Sequence, residues 1–271
     1  MLTRQRFLRG IAAIPVAAAT ASRASARVYT PAFTVDGTYN LGHGGSLLSL
    51  SFAPERGIFP VQCFAALLPR SAFKATMLTV SDRTTARTAV IDLARHHEAN
   101  VAINGGFFDY YSFASEGLLV IDGNTVAHMR ADYSGAAAID ADGRLSIVSA
   151  DAAKSARFAV QGKPNLVDPG GKMGMHSENG LRGRRSFIAQ SNDVVIVGVT
   201  SPVTLYHLAD VFVQYPDAFG LQRIDAALNL SGDATSSFYA RMSDGTEVLR
   251  GASWPNRDVI AFTARPSEDR I

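Results

Sequence analysis

The chain has 271 residues, with 26 lysines and arginines against 24 acids, 47% hydrophobic side chains and one cysteine. It is long enough for one sizeable core or two small ones, and the lone Cys63 excludes an intramolecular disulfide. Residues 1–26 hold four arginines and no acid, leaving 22 basic against 24 acidic side chains, and a near-neutral remainder lacks the basic footprint of a nucleic-acid binder.

Arg4, Arg6 and Arg9 precede an uncharged run from Ile11 to Ser22 and the small residues Ala24-Ser25-Ala26. That order predicts an export signal cut after Ala26 and a periplasmic or secreted product. A membrane span needs roughly 20 apolar residues; this run is shorter and Pro15 breaks it. Thr3 to Arg9 approaches the twin-arginine pattern, but Gln5 stands where the second adjacent arginine belongs, which leaves the export route open. No repeat or Pro/Ser-rich linker follows, so residues 27–271 are expected to form one domain without a membrane span.

Val61 to Leu68 and Lys74 to Val80 read as strands around the turn Pro69-Arg70-Ser71. Cys63 lies among Val61, Phe64 and Ala65, which favours a buried inert thiol over a nucleophile. Ser81 to Asn100 is predicted helical, with Asp82 near its start and Arg95, His96 and His97 near its end. Val101-Ala102-Ile103 is a short strand running into Asn104-Gly105-Gly106. Two hairpins follow, around Asp122-Gly123-Asn124 and around Asp140 to Gly143. Phe158 to Val160 and Phe187 to Ala189 bracket a long basic loop from Gln161 to Arg185, and Val194 to Val199 is another strand. Thr204 is placed to cap a helix from Leu205 to about Val213. Strands Ala226 to Leu230 and Val259 to Thr263 close a mixed α+β domain of largely antiparallel sheets with a few packed helices.

Three polar, glycine-bearing segments sit at strand ends: Asn104 to Asp109, Lys163 to Arg185, and Asn229 to Ser237. Glycine lets a backbone approach a ligand and present its N–H groups to an anion. Lys172, His176, Arg182, Arg184 and Arg185 share one loop, and arginine offers a planar fork for phosphate. The adjacent His96 and His97 point about 100° apart on a helix, and no zinc-ligand spacing occurs elsewhere. His43-Gly44-Gly45-Ser46 is similar to an oxyanion-hole loop, yet the chain has no Gly-x-Ser-x-Gly elbow. Neither a Walker loop nor Gly-x-Gly-x-x-Gly opens a helix, so no nucleotide cofactor is expected.

Ala102-Ile103-Asn104-Gly105-Gly106-Phe107-Phe108 resembles the hallmark segment of the phosphodiester glycosidase family, whose best-known member removes N-acetylglucosamine from a sugar 1-phosphodiester. Glu116 to Gly123, Val160 to Val167, Arg185-Ser186-Phe187-Ile188 and Asn229-Leu230-Ser231-Gly232-Asp233 resemble further family segments in the same order, over a core of about residues 60–264. Ser231 replaces the family's aspartate, Asp233 and Ala234 replace two glycines, and Thr235 and Ser236 keep the hydroxyls.

The resemblance implies that Arg185 and the Asn104-Gly105-Gly106 backbone hold phosphate while Asp109 or Asp233 acts as base or nucleophile. Gln161 and Asn229 would orient the sugar, with Arg184, Ser231, Gly232, Thr235 and Ser236 completing the substrate-binding set. A phosphomonoester leaves readily, so such a site needs charge stabilisation more than protonation. The expected function is an exported hydrolase of a glycosyl 1-phosphodiester, N-acetylglucosaminyl for instance, in envelope or exopolysaccharide material. The alternative is a degenerate scaffold that binds anionic glycans without cutting them. No cofactor is expected, although Asp109 and Asp233 leave room for a hard cation such as calcium.

Overall fold

Short apolar runs separated by Gly, Asp and Asn turns dominate this sequence, and such runs pair as strands more readily than they extend as helices. The computed structural model describes residues 32–54, 60–79, 89–178, 180–251 and 254–266. Among them are eighteen strands and three α-helices. The expected mixed domain is therefore a largely antiparallel β structure to which helices are appended. The export signal and residues 80–88 lie outside the described residues. Residues 31–271 cluster as one compact unit.

The largest sheet has eight strands. Its meander β1 (Ala32–Gly42), β2 (Gly45–Ala53) and β3 (Val61–Pro69) is followed across the sheet by β14 (Val194–Val203), β13 (Gly183–Gln190), β15 (Ala226–Asn229), β11 (Asn165–Asp168) and β12 (Lys172–Met173). A second sheet orders β7 (Asn124–Ala127), β6 (Leu119–Ile121), β10 (Phe158–Gly162), β8 (Gly135–Ile139) and β9 (Leu145–Val148). The third orders β17 (Glu247–Gly251), β16 (Ser237–Arg241), β5 (Val101–Asn104), β18 (Asp258–Ala264) and β4 (Phe73–Thr79). All three contribute to one apolar core, for example through Leu68, Ile139 and Ile103.

Helix α3 (Leu205–Gln214) covers the other face of the large sheet, burying Leu208 and Phe212 against Cys63, Leu166 and Phe187. Thr204 caps it as expected, its hydroxyl accepting from the His207 N–H at 3.1 Å. Helix α1 (Val90–His96) packs Val90 and Ala94 beside β5 and β18. Its described part is shorter than the Ser81–Asn100 expectation and ends where Glu98 takes a positive φ. Helix α2 (Ala150–Ala153) is one turn capped by Ser149. No helix among the described residues is long and apolar enough to cross a membrane.

The supposed long loop from Gln161 to Arg185 contains β11 and β12, because Leu166 and Val167 are apolar enough to pair against β15 and go fully inside. β1 and β2 lie outside the expected core. β1 shows solvent most of its side chains, so its sequence lacks the apolar alternation that marks a strand.

Candidate functional site

All four residues of β5 are buried because it runs between β16 and β18, with Phe238 opposite Ile103 and Val259 opposite Asn104. The strand therefore delivers Asn104 into the interior. Its Oδ1 accepts from Ser186 Oγ at 2.7 Å and from the Ser237 N–H at 3.0 Å, and its Nδ2 donates to the Ser231 carbonyl at 2.6 Å. One buried amide thus ties together three segments distant in sequence. Ser186 Oγ continues to Ser236 Oγ at 2.8 Å, and Ser231 Oγ to Thr235 Oγ1 at 2.7 Å. A buried amide with these bonds made is a positioning group.

The glycines after Asn104 pack against Asp258. The Gly105 N–H donates to the Asp258 carbonyl at 2.9 Å and the Gly106 N–H to Asp258 Oδ1 at 2.8 Å. A Cβ on Gly105 would lie 1.6 Å from that oxygen, so only glycine fits. These two N–H groups, expected to meet phosphate, are engaged inside the protein. Asp258 Oδ2 is buried without a partner, and burial pushes the carboxyl pKa up.

Gln161 is likewise internal. Its Oε1 accepts from the Leu118 and Arg130 N–H groups at 2.9 and 3.0 Å, and its Nε2 donates to the Arg130 and Tyr133 carbonyls at 2.9 and 3.3 Å. Asn229 donates to the Lys163 carbonyl at 2.7 Å, while its Oδ1 is buried without a partner.

The two arginines of β13 point to opposite faces, as strand alternation requires. Phe187 and Ala189 face α3, Ile188 faces the central core, and Arg185 follows the former pair. Its guanidinium donates to the Val203 and Leu181 carbonyls at 3.0 and 2.6 Å. Burial lowers its pKa, opposed by the charge of Asp233. Arg184 instead lines a groove of about 240 Å³ with Ser236, Arg250, Gln62 and Phe64. The Arg250 guanidinium lies 4.1 Å from the Phe64 ring centroid, a cation–π contact. Two arginines and no carboxylate are among the residues that line this groove, which suits it to an anion.

Neither candidate carboxylate stands free. Asp233, at positive φ, accepts the Arg184 N–H on Oδ1 at 3.0 Å. Asp109 accepts the Tyr111 N–H, the Ser112 N–H and Ser112 Oγ on Oδ1 at 3.1, 2.6 and 2.7 Å, and the Ser112 bonds hold its pKa below the usual carboxylate range. Among the described residues no three His, Cys, Asp or Glu side chains group as a metal site. On the other side of the Asn104 turn, Tyr133 donates to Glu116 Oε2 at 2.9 Å, and Lys163 Nζ lies 4.1 Å from the Tyr133 ring centroid.

Of the three segments singled out in the sequence, those from Asn104 and Asn229 meet around the Asn104 amide, joined by Ser186 just beyond Arg185, while Arg250 of the groove was not singled out. Arg250 lies on exposed β17 and meets Phe64 only after folding, so no local pattern announces it.

A family model for phosphodiester glycosidases matches residues 97–265. Comparison with curated protein sequences finds no match. Among solved structures, the catalytic domain of zebrafish N-acetylglucosamine-1-phosphodiester alpha-N-acetylglucosaminidase, auto-inhibited by its pro-peptide, is similar with a TM-score of 0.60 at 13% identity, over 88% of this chain and 89% of that one. A hypothetical protein from Synechocystis is similar with a TM-score of 0.59 at 14% identity, over 86% of this chain and 64% of that one. At such identities these likenesses concern the fold, while the family match spans most of the chain and includes the segments gathered by Asn104. The chain belongs to the phosphodiester glycosidase family.

Proposed function

We propose that the chain is an exported hydrolase of a glycosyl 1-phosphodiester, with N-acetylglucosamine as the reference sugar and envelope or exopolysaccharide material as the source. The observation that carries this reading is the Asn104 amide, which draws three family segments to one place beside a groove lined by two arginines. In this reading Arg184 and Arg250 take the phosphate role first expected of Arg185, and Ser236 adds a hydroxyl. Asp233, whose Oδ1 already bonds the Arg184 backbone, is the carboxylate for the attacking water. Water adds to the anomeric carbon, its proton passes to Asp233, and the C1–O bond breaks with its electron pair leaving on the phosphate monoester. Charge stabilisation by the guanidinium groups is the main contribution asked of the protein.

The test is turnover of a chromogenic phosphodiester of N-acetylglucosamine 1-phosphate by the purified mature chain. Arg184→Ala is expected to lower kcat/KM about ten- to a hundredfold, the range for losing a bond to a charged group, and Asp233→Asn to abolish turnover. Undiminished turnover in Asp233→Asn removes that residue from the mechanism. Ser231, in the family's aspartate position and bonded to Thr235, favours a second reading as an anionic-glycan-binding scaffold. Binding of the substrate without turnover is the outcome that supports it.

A further inference from the structure

Three large aromatic side chains stand in solvent near the same end of the third sheet as the Asn104 turn. Tyr110 is 47% exposed, Tyr111 79% and Trp254 45%. The Tyr110 and Trp254 ring centroids are 5.3 Å apart at 45°, and Tyr111 stands at 80° to Tyr110 with centroids 5.7 Å apart. Tyr110 and Tyr111 come four and five residues after Gly106 of the Asn104-Gly105-Gly106 turn, while Trp254 comes four residues before Asp258, which bonds both glycines. Trp254 is also four residues beyond Arg250, on the chain leaving the arginine groove.

The loop that carries the tyrosines is held in place. The Asp109 carboxylate fastens Tyr111 and Ser112, the Phe113 N–H donates to the Asp109 carbonyl at 2.8 Å, and Phe108 bridges to Ser115. Phe113 is buried, with its ring centroid 4.9 Å from that of Phe108. Trp254 is steadied through its carbonyl, which accepts from Nδ2 of the buried Asn256 at 3.1 Å. The loop therefore anchors itself on the buried Phe113, with the partly buried Phe108 packed against it, and exposes Tyr110 and Tyr111. Clustered, pre-positioned, exposed aromatics mark binding surfaces, and Tyr and Trp suit a ligand with one apolar and one wet side.

We propose that Tyr110, Tyr111 and Trp254 form a saccharide-binding subsite at the rim of the candidate site, on which pyranose rings of an oligosaccharide joined to the phosphodiester stack. A gluco-configured pyranose has axial C–H bonds on both faces, and these present positive edges to the negative face of an aromatic ring while the hydroxyls stay in water. The position of the cluster beside the Asn104 turn commits it to the sugar side of the substrate, with the arginine groove taking the phosphate. The assignment deepens the hydrolase reading and rests on it for the choice of a saccharide.

Trp254 is the only tryptophan of the chain, so emission excited selectively at tryptophan reports on this cluster. The full mature chain is titrated with tetra-N-acetylchitotetraose. A saturable emission change, with protection from acrylamide quenching, is expected in the wild type and in Tyr110→Phe, and its loss in Tyr110→Ala. With an oligosaccharyl phosphodiester, kcat/KM should fall roughly tenfold in Tyr110→Ala and Trp254→Ala, and stay unchanged with the monosaccharyl substrate. Equal losses on both substrates, or no emission change at millimolar tetrasaccharide, overturn the proposal. Saturable binding in a chain that hydrolyses nothing leaves the subsite standing and removes the hydrolase reading. Turnover of the monosaccharyl substrate without any emission change does the reverse.

Discussion

Asp258 is fully buried behind the Asn104-Gly105-Gly106 turn, with one oxygen accepting from Gly106 and the other unpartnered. Its ionised form lacks the solvation it has in the unfolded chain, which is why its pKa is raised. The folded state then binds a proton more tightly than the unfolded one. The associated stability is present below the unfolded pKa of about 3.9 and is lost as pH rises through the folded value. Asp258→Asn keeps the Oδ1 acceptor and cannot ionise. Urea midpoints measured across this range should therefore fall with rising pH more in the wild type than in the variant, and parallel profiles would show that Asp258 does not set the slope. At this scale the sequence singles out candidate residues but not the atoms they spend on their neighbours. Gln161 and Arg185 stand out as letters of resembling segments and Asp109 as the carboxylate of a polar turn, yet Asp109 clamps its own loop, Gln161 braces Leu118 and Arg130, and Arg185 bonds carbonyls on the α3 face. Those partners come from 2 to 43 residues away, and spacing alone does not choose among them.

At the scale of elements, β10 is joined to its surroundings by the Gln161 side chain as well as by its ladder with β8 and β6. Gln161→Ala removes the side-chain partner of the Leu118 and Arg130 N–H groups and of the Arg130 and Tyr133 carbonyls. Leaving buried groups unsatisfied costs about 1–3 kcal/mol each, and water can replace part of it. A net loss of about 3 kcal/mol in urea unfolding is expected, and a loss below about 1 kcal/mol would mean that water satisfies the loop. Strands that bury both faces, such as β5 and β14, were readable as continuous apolar runs. β1 and β17 were not, since each exposes most of its residues and owes its place to a paired neighbour. β11 is only four residues long and joins the sheet through partners about sixty positions away, beyond the reach of any window of local periodicity.

For the molecule as a whole, the question is whether the three sheets unfold together. They share one core, with Leu68, Ile139 and Ile103 drawn from different sheets, so removing one sheet exposes apolar surface on the others. Cys63 offers a probe. It lies in β3, inside the large sheet and beneath α3, with no exposed surface, and burial pushes its thiol pKa up to about 12. A thiol so placed presents almost no thiolate to a reagent in the native state. Labelling by a disulfide reagent should then require opening of the large sheet. If the structure unfolds as one unit, the labelling rate at limiting exchange will rise with urea at the slope of global unfolding measured by Trp254 emission, since both exposures accompany the same transition. A labelling rate insensitive to low urea would instead reveal a local opening of α3 from the sheet. Because Trp254 stands at the candidate site and Cys63 lies beneath α3, matching slopes would also mean that the site loops and the α3-covered core stand or fall as one structure.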